Sequence, residues 1–83
     1  MSAKLLIGPL LALLLAAGGA HAQTLQQARE QVDAGQYGRA LPVYEALLRE
    51  QPANTELLIE TARVYGFADR HPEAIDTYRR AVE

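Results

Sequence analysis

The chain has 83 residues, eight of them basic and ten acidic, for a formal net charge of −2, and it contains no cysteine. Disulfide staples, thiolate metal sites and cysteine nucleophiles are therefore excluded. An acidic balance with no basic block likewise leaves no electrostatic footprint for nucleic acid.

The first element is an address. Met1-Ser2-Ala3-Lys4 carries a positive charge, Leu5 to Ala17 is an apolar run of 13 residues, and Gly18-Gly19-Ala20-His21-Ala22 closes it. Charged start, apolar core and small-residue exit are the parts of a secretory signal. The small side chains of Ala20 and Ala22 suit an extended segment entering a peptidase cleft, so cleavage is expected after Ala22, leaving Gln23 as the mature N-terminus. An uncleaved anchor is the competing reading, but spanning a bilayer takes about 20 apolar residues, and Gly8-Pro9 interrupts this run. No cysteine follows it to accept a lipid. The expected organisation is 1–22 as signal, 23–54 as a first helical unit and 55–83 as a second.

The mature segment, 23–83, has seven arginines, ten carboxylates and no lysine. A domain of about 60 residues buries only about 60% of its unfolded surface, which leaves no room for a large enzyme core or a second domain. Its first helix is predicted to open at Thr24, with Gln27 completing a capping box. It carries Leu25, Ala28 and Val32 on one side and ends near Gly35, a natural left-handed residue. A second helix is predicted from about Arg39 to Glu50, with Ala40, Leu41, Tyr44, Leu47 and Leu48 as its apolar stripe and Pro42 near its first turn. Gln51-Pro52-Ala53-Asn54 stops it, and Asn54 caps a third helix from Thr55 to about Ala68 with Leu58, Ala62 and Tyr65 on one face. Asp69-Arg70-His71-Pro72 forms the next turn, Pro72 suiting a first helical position. The fourth helix presents Ala74, Ile75, Tyr78, Ala81 and Val82.

These elements repeat. An offset of 34 residues superposes Ala28 on Ala62, Arg29 on Arg63, Ala34 on Ala68, Ala40 on Ala74 and Tyr44 on Tyr78. The matches fall on small or apolar positions at helical spacing, and a fixed period in this range marks a repeat architecture. The pattern resembles the tetratricopeptide repeat, carried by Ala28, Gly35, Tyr37, Ala40, Tyr44, Leu47 and Pro52 and then by Leu58, Ala62, Tyr65, Ala74, Tyr78 and Ala81. The resemblance implies an all-α fold of two helical hairpins, four helices in all, with alanines at the close approaches and tyrosines between successive hairpins. The chain departs from the family pattern at Thr24 and Gln27, where large apolar residues are usual, at Asp69 in place of glycine, and at His71 in place of an aromatic.

Catalytic chemistry has few candidates in this segment. His71 is the sole histidine of 23–83, serine is absent there, and a single imidazole cannot hold a metal. His71 reads as a solvent-facing turn residue. The acidic pairs Glu56/Glu60 and Asp69/Glu73 read as surface charge. No glycine-rich phosphate loop exists, so no enzyme activity, metal or cofactor is expected.

The resemblance implies binding instead. In such arrays the first helices of successive hairpins line a concave groove, which places Arg29, Asp33, Glu56, Ile59, Arg63 and Phe67 as groove residues. Arg29 and Arg63 stand one repeat apart. Either they receive ligand carboxylates through bidentate hydrogen bonds, or they pair locally, Arg29 with Asp33 and Arg63 with Glu60 or Glu56. Phe67 is either a groove contact or packed against the turn at Asp69-Arg70. Two repeats bury little surface, and the stripe through Ile75, Tyr78 and Val82 faces outward, marking an interface. The expected function is an exported, periplasmic scaffold that binds a protein or peptide, as the start of a longer protein. Two variants accompany it: the leading repeats of an exopolysaccharide-export or related barrel protein, which such exported arrays resemble, and a module that self-associates through its last helix.

Overall fold

The structure, a computed structural model, describes residues 24–83. The expected signal segment and its exit, Ala20, Ala22 and Gln23, lie outside the described residues. Four helices follow one another: α1 (Leu25–Asp33), α2 (Tyr37–Glu50), α3 (Thr55–Phe67) and α4 (His71–Val82). Among the described residues there is no strand, and no helix is long and apolar enough to cross a membrane. The fold is two helical hairpins, α1–α2 and α3–α4, stacked through α2 and α3.

The caps explain where each hairpin begins. Thr24 closes the expected capping box: its Oγ1 accepts from the Gln27 backbone N–H at 3.2 Å, and its own backbone N–H donates to Gln27 Oε1 at 3.0 Å. Asn54 Oδ1 accepts from the Leu57 N–H at 3.1 Å to open α3. By contrast, α2 and α4 begin without a side-chain cap, because each starts inside the turn that ends its predecessor.

Those two turns are copies of one another at the 34-residue offset. The Gln36 N–H reaches the Gln31 carbonyl at 2.8 Å and the Gly35 N–H the Val32 carbonyl at 2.9 Å; Arg70 reaches Tyr65 at 2.9 Å and Asp69 reaches Gly66 at 3.1 Å. This is the Schellman arrangement, which satisfies the last helix carbonyls through one left-handed residue. Gly35 holds that conformation with φ 75°, and Asp69 holds it with φ 60°. Gln36 and Arg70 then serve as the N-caps of the returning helices.

This double use moves two boundaries. α2 begins at Tyr37 rather than near Arg39, since the turn is already complete at Gln36 and the poor helix propensity of Gly38 is overridden by packing of Tyr37 on Phe67 (ring centroids 5.7 Å apart). Pro42 consequently sits in the second turn of α2, exposed, where it removes a single backbone bond. α4 likewise begins at His71, making Pro72 its second residue rather than its first.

The core forms where the two hairpins meet. Ala28, Ala40 and Ala62 are fully buried, and Tyr44, Leu58, Thr61 and Val64 are nearly so. Alanine at these positions lets helix axes approach closely, and the tyrosines and leucines fill the space between layers. Buried Thr61 satisfies its hydroxyl by donating to the Leu57 carbonyl at 2.8 Å, and Thr77 does the same toward Glu73, so neither leaves an orphaned polar group.

Candidate binding groove

The first helices of the two hairpins, α1 and α3, flank an open groove of about 400 Å³. Val32, Val64 and Phe67 give it an apolar wall, Tyr44 contributes from α2, and Arg29, Asp33, Glu60 and Arg63 supply the charges. Of the six residues predicted to line a groove, Arg29, Asp33, Arg63 and Phe67 meet here. Glu56 lies in an adjoining depression with Leu25, Leu47 and Leu57. Ile59 lines neither and is exposed on α3.

The charges are not arranged as local pairing predicts. Arg29 turns away from Asp33 and forks onto Glu60 of the other hairpin, Nε to Oε2 at 2.8 Å and Nη2 to Oε1 at 2.7 Å. Glu60 accepts a third hydrogen bond from the buried Tyr44 hydroxyl at 2.5 Å. The Glu56/Glu60 pair is therefore not two equivalent surface charges: Glu60 ties three helices together, while Glu56 is exposed. Arg63 makes no ion pair among the described residues, although its charge reaches Glu60 through space. Repeat equivalence thus yields one guanidinium committed to the fold and one open to the groove.

The electrostatics follow from this geometry. The hydrogen bond from Arg29, helped by that from Tyr44, holds the Glu60 carboxyl below its ordinary value of 4.5 against the opposing effect of burial. Burial, and then donation to Glu60, holds the Tyr44 hydroxyl well above its ordinary value of 10.0. The fork onto Glu60 raises Arg29 further above its already high value. All three groups keep one charge state across the neutral range, so the tie is fixed rather than switching.

A second tie runs the opposite way across the same seam. The Tyr65 hydroxyl of α3 donates to Glu45 of α2 at 3.0 Å, with burial the first cause of its raised pKa. Arg70 lies over the Tyr65 ring, 5.1 Å from its centroid, and pairs with Glu73. Phe67 stacks on Tyr37 while half its surface stays open to the groove, so it packs on α2 rather than on the turn at Asp69-Arg70. His71 is exposed, 3.7 Å from Asp69. No group of His, Cys, Asp and Glu able to hold a metal occurs among the described residues.

Reading the sequence helix by helix misses Glu60 as the partner of Arg29, Glu45 as that of Tyr65 and Tyr37 as that of Phe67. A signal for Glu60 was present. A residue of α1 stands beside its counterpart 34 positions on, so a partner one helical turn earlier, 31 positions on, is within reach; Arg29 and Glu60 have that separation.

Residues 25–83 match a family model described as tetratricopeptide repeat. No curated protein and no solved structure matches the chain.

Proposed function

Since this chain belongs to the tetratricopeptide repeat family, whose repeats are protein–protein interaction modules and generally non-catalytic scaffolds, we propose that it is an exported module that binds a protein or peptide segment in the bacterial periplasm. The observation that carries the binding reading is the inequality of two equivalent arginines. Arg29 is held by Glu60, whereas Arg63 opens onto a groove walled by Val32, Val64 and Phe67. A guanidinium beside apolar surface suits a segment with a carboxylate next to an apolar side chain, because Arg presents a planar fork to the acid. Asp33 on the opposite rim repels a second acid and sets the direction of the segment.

Export rests on the order of Lys4, the Leu5–Ala17 run and Ala20-His21-Ala22. The capping box of Thr24 and Gln27 gives α1 a defined start just after the expected cut. Fractionation of an expressing bacterium and N-terminal sequencing of the product test this directly. A mature protein beginning at Gln23 in the periplasmic fraction is expected, and an unprocessed chain in the cytoplasm refutes it.

The groove is tested by titrating the labelled protein with a pool of short peptides bearing an acid beside Leu or Phe. Amide shifts should concentrate around Val32, Arg63 and Phe67 and disappear in Arg63→Ala. Shifts elsewhere, or shifts unaffected by that substitution, remove the groove as the site.

A further inference from the structure

The groove and the depression beside it are two halves of one trough. α2 packs against both α1 and α3 and lines the floor, with Tyr44 in one half and Leu47 and Gln51 in the other. Arg29 and Glu60 line both halves, and their fork runs from one wall to the other between them. The tie that holds the hairpins together therefore divides the surface they enclose.

Each half has an apolar wall and a free charge, and the two charges differ in sign. In the first half Val32, Val64 and Phe67 stand with Arg63, and Asp33 closes the end farthest from the second half. In the second half Leu25, Leu47 and Leu57 stand with Glu56, which is exposed and makes no ion pair among the described residues. Glu56 lies in the first turn of α3, where a carboxylate suits the helix dipole, so its charge alone selects nothing. The leucines do: Leu25 and Leu47 pack on the core yet stay half-open around a recess of about 230 Å³. Pockets for whole small molecules run from about 300 to 1,000 Å³, so this recess suits one side chain of a longer ligand.

The spacing of the recesses limits the shape of that ligand. Leu25 and Val32 are seven residues apart on α1, and Leu57 and Val64 are seven apart on α3, an offset of about 10.5 Å along both walls. The fork fills the trough between them, so a helix of about 10 Å diameter cannot sink into both recesses, whereas an extended chain can pass over it. In polyproline II geometry, residues i and i+3 return to the same side about 9.3 Å apart. A pleated strand places same-face side chains about 7 or about 13.5 Å apart, short of the offset or beyond it.

We propose that the Leu25, Leu47 and Leu57 recess is a second subsite, and that the trough takes an extended protein segment with two apolar side chains three residues apart. An acid flanks the side chain that meets Arg63, and a base flanks the one that meets Glu56. This rests on the groove being a peptide site and adds to it the second subsite, the register and the second charge.

The probes are end-blocked peptides with two leucines spaced two, three or four residues apart, Asp beside one and Lys beside the other, in both chain orders. A control has the Lys-side leucine replaced by serine. Titrated against the isotope-labelled chain, spacing three should bind tightest, about tenfold better than the control, the scale of one partly buried leucine. It should shift amides around Leu25, Leu47 and Leu57 as well as those around Val32, Arg63 and Phe67. Glu56→Lys should weaken that peptide about three- to fivefold and favour by a similar factor the peptide with Glu in place of Lys. Glu56 is exposed, so far-UV circular dichroism should show the variant folded. Affinity equal to the control, tightest binding at another spacing, an order indifferent to Glu56→Lys, or no shifts around Leu25 and Leu57 overturns the proposal, while shifts at Arg63 keep the groove. Shifts nowhere in the trough, or shifts that survive Arg63→Ala, remove the groove itself and the second subsite with it.

Discussion

The two hairpins are built from one pattern and differ in how their equivalent residues are used. Tyr44 is 1% exposed and bonded to Glu60, whereas Tyr78, at the same place one period on, is 43% exposed. Arg29 is locked to the neighbouring hairpin while Arg63 faces the groove. The same left-handed turn is made by Gly35 in one unit and by Asp69 in the other. The difference teaches that residue type and periodicity set the local conformation, but the neighbour across the seam decides whether a residue acts as core, tie or open surface.

The tyrosine comparison carries the largest expected effect. Tyr44→Ala removes a buried aromatic ring and leaves Glu60 short of a donor, which should cost about 3–5 kcal/mol. That is comparable to the whole stability expected of so small a domain, so the variant should be largely unfolded at 25 °C. Tyr78→Ala should cost less than about 1 kcal/mol, as surface substitutions do. Denaturant midpoints of the two variants check this. Similar losses would mean that Tyr78 is covered in solution.

The turn comparison comes next, and its two halves have opposite signs. At Gly35 an added Cβ meets nothing within 4 Å, so the effect of Gly35→Ala is purely conformational. A left-handed backbone costs a non-glycine residue about 1–2 kcal/mol, and the variant should be destabilised by that amount. Asp69→Gly relieves the same strain but frees the unfolded chain, leaving a net gain of up to about 1 kcal/mol. Thermal melting should therefore move down for one variant and up for the other. A loss in Asp69→Gly would show that the Asp69 side chain, through His71 3.7 Å away, contributes more than the strain removes.

Much of the fold was legible in the sequence because it is local. Thr24 with Gln27, Asn54, and Gly35 each announce a helix end by chemistry that acts within a few residues, and Ala28, Ala40 and Ala62 repeat at the spacing that close helix packing demands. What local chemistry does not reveal is the choice of partner. Arg29 has Asp33 one turn away on its own helix and takes Glu60 from the next hairpin, because there it obtains a fork and a carboxylate already oriented by Tyr44. The start of α2 at Tyr37 was hidden for the same reason: Gly38 argues against helix locally, and the contact with Phe67 lies 30 residues away. The groove residues Arg63 and Phe67 could be placed from the repeat alone, whereas Ile59, on the same helix, is exposed outside the groove.

The smallest expected effect separates the tied arginine from the open one by their response to acid. The folded pKa of Glu60 lies below its ordinary 4.5, so the unfolded state binds the proton first as pH falls. Stability from the tie is then fully present above the unfolded value and is lost as pH drops through the folded one. In Glu60→Gln this contribution is absent at every pH. The gap in denaturant midpoint between wild type and Glu60→Gln should be widest near neutrality and shrink as the pH falls below 4.5. It should also narrow in high salt, because the Arg29 end is half open to solvent. Arg63→Gln should show a much smaller gap, since Arg63 acts on Glu60 only through space and makes no ion pair among the described residues. A gap for Arg63→Gln that closes in parallel with that of Glu60→Gln would mean that both arginines hold the seam and that the groove keeps no open cation.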